Sequence, residues 1–170
     1  LLGSSQVRIE HRGQVCVVSG DYKTAADPTC AALEPLACHT FVTESTFGLP
    51  IYRWPSPAEV FAEINAWWRQ NSAEGRASVV FAYALGKAQR LLAGIDASIG
   101  PIACHGAVER INGDYRRAGV ALPETACASD DKLGKRRQSW SGALIVAPPS
   151  AMGPPWALGF GDAATAFVSG

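Results

Sequence analysis

The chain has 170 residues, 48% of them hydrophobic, enough to bury a core for one domain or slightly more. Fifteen basic side chains balance fifteen acidic ones, so no global field draws it to nucleic acid or to an anionic membrane, and any such contact needs a local groove. No apolar run approaches the ~20 residues of a membrane span. Five cysteines, odd in number and without CxxC spacing, favour reduced thiols in a cytoplasmic protein over a disulfide framework.

In chain order, Ser5 to Glu10 alternates, with Val7 and Ile9 on one face and Gln6, Arg8 and Glu10 on the other. His11-Arg12-Gly13 reads as a turn and Gln14–Ser19 as a more apolar strand, so the pair predicts an antiparallel hairpin whose second strand lies deeper. That strand runs into Gly20 and the carboxylate of Asp21. Residues 24–37 read as a loop.

From His39 the pattern becomes strand, helix, strand. His39–Thr43 is a strand that leads to a second carboxylate, Glu44, set among Ser45, Thr46 and Gly48. Ser56-Pro57-Ala58-Glu59 has the N-cap serine, first-turn proline and N3 glutamate of a capping box. Val60, Phe61, Ile64, Trp67 and Trp68 then recur at helical spacing up to Gly75. Ser78–Ala82, Pro101–Cys104 and Ala143–Ala147 read as strands, with helices over Gly86–Ala93 and Ala107–Ala118. This alternation predicts a doubly wound parallel α/β sheet covered on both faces. Residues 126–140 read as a solvated loop, and Thr165–Gly170 as a strand just ending.

Three kinds of residue carry candidate chemistry. Asp21 and Glu44 each follow a buried strand, at the edge where open α/β sheets hold ligands. A carboxylate there caps a turn, accepts backbone N–H groups or binds a cation with the same lone pairs. For Asp21 the turn cap leads; for Glu44 structural and site roles are balanced. The turn Tyr83-Ala84-Leu85-Gly86-Lys87-Ala88-Gln89 joins a strand to a helix N-terminus and suits a phosphate, though it lacks a P-loop. Ala147-Pro148-Pro149-Ser150 ends another strand at the same edge. His39 and His105 each follow a cysteine, but strand neighbours point to opposite faces, so neither Cys-His pair suits one zinc ion.

In order, Leu2-Gly3-Ser4-Ser5-Gln6-Val7, Val18-Ser19-Gly20-Asp21-Tyr22-Lys23, Thr43-Glu44-Ser45-Thr46-Phe47-Gly48, Ala82–Gln89 and Ala147–Ser150 resemble metallo-β-lactamase-fold nucleases with a β-CASP domain. The likeness is greatest to the ligase-associated DNA exonuclease group, often labelled mRNA 3′-end processing factors. The resemblance implies a partial metallo-β-lactamase αββα sandwich at 1–37, an inserted doubly wound β-CASP domain at 38–150, and the start of a return to the first domain at 151–170. It implies that Asp21 bridges two divalent metal ions, usually zinc, and that Glu44 orients a histidine beside them. Lys87, Gln89 and Ser150 become candidates for substrate contact. DNA is the implied substrate, with RNA the alternative, and a DNA ligase or helicase the implied partner. The family's HxHxDH motif and its later histidines have no counterpart here. The chain therefore reads as an interior piece of a two-metal phosphodiesterase, idle alone. The rival readings are a non-catalytic β-CASP scaffold for nucleic acid and a doubly wound domain binding another phosphate compound.

Overall fold

A computed structural model of the chain describes residues 1–128, 140–153 and 156–168. They form two compact units, Leu1–Pro55 and Ser56–Gly170. The domain bounds implied by resemblance, 37/38 and 150/151, differ from this division. The strand at 40–42 stays with the N-terminal hairpin, and the final strand joins the second unit's sheet.

In the first unit, β1 (Val7–His11) and β2 (Gln14–Val18) form the expected antiparallel hairpin, with His11 opposite Gln14. Only Arg12 and Gly13 connect them, and both have positive φ, 48° and 76°. A two-residue loop of that geometry matches the right-handed twist of its flanking strands. His11, expected in the turn, closes β1 because so short a loop leaves no further residue for it. The third strand, β3 (Thr40–Val42), pairs with β2 in parallel, Val18 opposite Val42. β2 is thus the central strand of order β1-β2-β3, and Val17 on it is fully buried.

The second unit begins with α1 (Pro57–Ala73). Its capping box forms as the sequence predicts. The Glu59 amide donates to Ser56 Oγ at 3.2 Å, and the Ser56 amide donates to Glu59 Oε2 at 2.8 Å. Beyond it come β4 (Ser78–Phe81), α2 (Lys87–Gly94), β5 (Ile102–His105), α3 (Gly106–Arg117), β6 (Ala126–Ala128), β7 (Leu144–Ala147) and β8 (Ala164–Phe167). The sheet is parallel throughout, in order β6-β5-β7-β4-β8.

Strand order and handedness fix the layers. The steps from β4 to β5 and from β5 to β6 run the same way across the sheet, so right-handed crossovers put α2 and α3 on one face. Leu91, Leu92 and Val108 pack there with Trp68 of α1 against Val80, Ile102, Cys104, Leu144 and Val146. The step from β7 to β8 runs the other way and covers the opposite face. Ala151, Trp156 and Phe160, carried on short 3₁₀ turns, pack there against Val79, Phe81, Ala103, Ile145 and Ala147. The fold is α/β, a parallel sheet flanked by helices.

β6 is a correction. Residues 126–128 were expected at the start of a solvated loop, yet they pair in parallel with β5, Cys104 opposite Cys127. An edge strand of three small residues, Ala-Cys-Ala, has no apolar alternation to announce it. The rest of that expected loop, 129–139 with its charged run, lies outside the described residues.

Trp68 ties α1 to the sheet. Its ring is fully buried, and its Nε1 donates to the Gly142 carbonyl at 2.9 Å, just before β7. Trp68→Ala removes that bond and leaves a large void. The expected cost is about 3–5 kcal/mol, read as a lower midpoint in urea unfolding.

Candidate functional site

Asp21 and Glu44 come together through the parallel pairing of β2 with β3. Val18 and Val42 are register partners, and the Ser19 amide donates to the Val42 carbonyl at 2.8 Å, extending the ladder past both strands. Asp21 follows Val18 by three residues and Glu44 follows Val42 by two, so both acids leave the sheet at the same edge. Asp21 is close enough to Glu44 to influence its carboxyl, and is the least of the influences on it.

Glu44 also organises its own turn. Its Oε1 accepts from the Thr46 amide at 2.6 Å and from the Thr46 hydroxyl. These bonds favour the ionised form. The Thr46 hydroxyl, with the Thr46 and Ser45 amides and Asp21 adding to it, holds the Glu44 carboxyl below the usual glutamate range. Gly48 then turns the chain closely, its amide donating to the Ser45 carbonyl at 3.1 Å. A Cβ added at Gly48 would fall 2.2 Å from Ser45 Oγ. The balance left open at Glu44 thus includes a real turn cap, with the Asp21 contact in addition.

His39 faces a different task. Its amide donates to the Val15 carbonyl at 2.8 Å, while the Val15 amide donates to His39 Nδ1 at 3.0 Å. Its Nδ1 is thus an acceptor for the backbone of β2. Among the described residues no group of three or more His, Cys, Asp or Glu side chains is placed to hold a metal ion. A carboxylate pair does not fit a two-zinc centre, which needs three or four protein ligands per ion.

In the second unit, the connection after β5 leaves toward the helix face and that after β7 toward the other. Carboxyl ends that diverge in this way open the crevice in which α/β sheets bind ligands. β4, β7 and β5 are neighbours, so Lys87, Ser150 and His105 all fall along this edge. Ser150 is exposed in the 3₁₀ turn Pro149–Ala151. His105 is the N-cap of α3, its Nδ1 accepting from the Ala107 amide at 3.1 Å, and its ring packs edge-on against Trp156 at 5.2 Å.

The turn before α2 has a different character from the one its sequence suggests. Gly86 sits at φ 85°, a conformation that suits glycine. The Gly86 amide donates to Gln89 Oε1 at 2.7 Å, that of Lys87 to the Leu85 carbonyl at 3.2 Å, and that of Ala88 to the Tyr83 carbonyl at 3.1 Å. Amides that a phosphate would use are therefore engaged within the turn. Gln89 is fully buried beneath it, its Nε2 donating to the Ala84 carbonyl at 3.0 Å and to Asn112 Oδ1 at 2.9 Å. Gln89 braces the turn from below and offers no surface to a substrate. Lys87 lies 5.2 Å from the Tyr83 ring centroid, a cation–π contact at the same edge.

Sequence reasoning missed the polar chain that continues from Gln89. Asn112 donates to Glu109 Oε2 at 3.2 Å, Arg116 pairs with Glu109 Oε1 at 2.9 Å, and Thr125 donates to Glu109 Oε2 at 2.5 Å. It links α2, α3 and the approach to β6 beneath the crevice. The i, i+3 and i, i+7 placement of Glu109, Asn112 and Arg116 was the available signal. Beside it, burial pushes the Cys104 thiol up to about 12, with the Glu109 charge adding to the shift.

No family model matches the chain. Over 124 residues, 72% of this chain, it is 28% identical to a protein named "Probable DNA ligase" from Opitutus terrae. That stretch is 12% of the relative, so the chain spans only a small part of the protein it matches.

Two outcomes test these assignments. The Glu44 carboxyl is expected to titrate below the ordinary glutamate value by NMR, and Thr46→Val to move it upward. Because its folded pKa is lowered, the ordering it gives the 44–48 turn is present above the ordinary value and is lost as pH falls through the lowered one. Gln89→Leu removes the partner of the buried Gly86 amide, the Ala84 carbonyl and Asn112 Oδ1. It is expected to cost about 1–3 kcal/mol per orphaned group in urea unfolding, and to speed amide exchange at Gly86.

Proposed function

We propose that the chain belongs to a DNA-processing protein and, more finely, that it is part of a metal-dependent phosphodiesterase acting on DNA ends. The observation that carries the chemistry is the placement of Asp21 and Glu44 at one edge, where parallel β2 and β3 end together. Paired carboxylates at such an edge suit the binding of a divalent cation and the orientation of a neighbouring base. The likeness to a protein named as a DNA ligase supports DNA over RNA as the polymer. It also agrees with the ligase association that the resemblance to β-CASP nucleases implies.

On this reading Asp21 would hold metal and Glu44 would act from behind it, orienting a histidine. A divalent metal held there, zinc on this reading, would make hydroxide available near neutral pH. The described residues do not by themselves make up such a centre, and the reading requires further ligands beyond them. In the second unit, Lys87 and Ser150 at the carboxyl edge of the sheet are the candidates for contact with the phosphate backbone, Lys87 supplying positive charge. The five free thiols suit a reducing, cytoplasmic setting, and no helix among the described residues is long and apolar enough to cross a membrane.

The reading predicts metal-dependent hydrolysis of DNA ends by the protein at its natural full length. Glu44→Gln is expected to lower the rate about 10–100-fold, as for residues that orient metal ligands, and Asp21→Asn by more. An unchanged rate in Asp21→Asn overturns the assignment. The 170 residues by themselves are expected to bind DNA without turnover, and metal-dependent cleavage by them alone would contradict the split site.

A further inference from the structure

We propose that the exposed ring cluster of Phe47, Tyr52 and Trp54 is a stacking site for unpaired nucleobases of single-stranded DNA, an inference that rests on the reading of the chain as DNA-processing. Of the eight residues 47–54, Phe47, Leu49, Ile51, Tyr52 and Trp54 are large, apolar and exposed, with Phe47 at 52% and Trp54 at 58%. Single exposed apolar residues are ordinary on a protein surface. Five within one eight-residue loop mark a binding surface.

The rings have an ordered arrangement. Tyr52 and Trp54 lie within 7° of parallel, their centroids 6.3 Å apart. Phe47 stands across both, at 88° and 85°, with centroids 5.0 Å from Tyr52 and 5.5 Å from Trp54. Phe47 thus braces the other two and keeps them aligned. A base inserted between them would need about 7 Å, twice the ~3.5 Å contact distance of stacked carbon atoms. The observed spacing falls short, so a base stacks on an outer ring face, as on the aromatic platforms of single-strand binders.

Charge and ring geometry select the ligand. Arg53, exposed between Tyr52 and Trp54 in the chain, opposes a cationic guest and suits the phosphates flanking a stacked base. The first unit exposes further large apolar side chains, among them Val7, Ile9, Phe41 and Val42, and the three rings are set apart from these by their ordered mutual packing. The loop also begins at the turn that Glu44 caps, with Phe47 three residues beyond Glu44. A base held on these rings belongs to the same stretch of chain as the carboxylate pair. The aromatics at helical spacing in α1 belong to the core instead: Trp68 is fully buried, with Phe61 and Trp67 packed against the same cluster.

Fluorescence anisotropy with the 170-residue chain tests this, using labelled dT12, an abasic strand with the same phosphates, and a duplex. The wild type is expected to bind dT12 more tightly than the abasic strand. Trp54→Ala is expected to weaken dT12 binding about tenfold, toward the abasic level, and Trp54→Phe to recover most of the loss. These rings are exposed, and matched circular dichroism spectra check that the variants stay folded. If Trp54→Ala and Tyr52→Ala bind dT12 like the wild type, or the abasic strand binds equally well, the stacking site is overturned while the DNA-processing reading stands. If the wild type binds neither single strand nor duplex, both fail. Self-association lost in Trp54→Ala, without oligonucleotide binding, would make the cluster a contact between copies and overturn the inference.

Discussion

Parallel strand pairing is the constraint on which the rest of this structure depends. Two parallel neighbours cannot be joined by a tight turn, so the chain must cross over, and every strand then ends at the same edge. In the first unit this brings Asp21 and Glu44 to one place, although they are separated by more than twenty residues of chain. In the second it brings the ends of β4, β7 and β5 side by side. Had β3 joined β2 antiparallel, Glu44 would have left from the opposite end of the pair.

The same constraint explains where polar groups are buried. Right-handed crossovers put α2 and α3 on one face, and helices packed side by side over a parallel sheet must satisfy the polar groups trapped between them. Gln89, Asn112, Glu109, Arg116 and Thr125 do so as a connected series beneath the crevice. A residue that looks like a ligand contact in sequence is therefore a brace in three dimensions. Its value to any site is indirect: it sets the shape of the Tyr83–Gly86 turn, which presents Tyr83, Leu85 and Lys87 at the edge.

Much of the fold was legible. Capping signals placed α1 to within a residue, because Ser56, Pro57 and Glu59 act through bonds that are local in sequence. Continuous apolar runs marked β4, β5 and β7, since strands buried on both faces tolerate nothing else. β6 was not legible: three small residues carry no periodicity, and only the neighbouring strand decides that they pair. The final strand carried no label for its partner either, and its place beside β4 follows from handedness and from the apolar cover that residues 151–160 give the second face.

The candidate site divides along the same line. The sequence by itself determined the residue types and their positions relative to strand ends: carboxylates past β2 and β3, a lysine at a helix start, a serine after β7. Those follow from local pattern, because apolar runs, glycines and caps act over a few residues. Only the tertiary structure decided which of these side chains meet and which are exposed. It joined Asp21 to Glu44, sealed Gln89 inside, engaged His39 with the backbone of Val15, and left Phe47, Tyr52 and Trp54 facing outward. Each of those outcomes depends on contacts between segments distant in sequence, and hydrophobic pattern alone cannot rank one such contact over another.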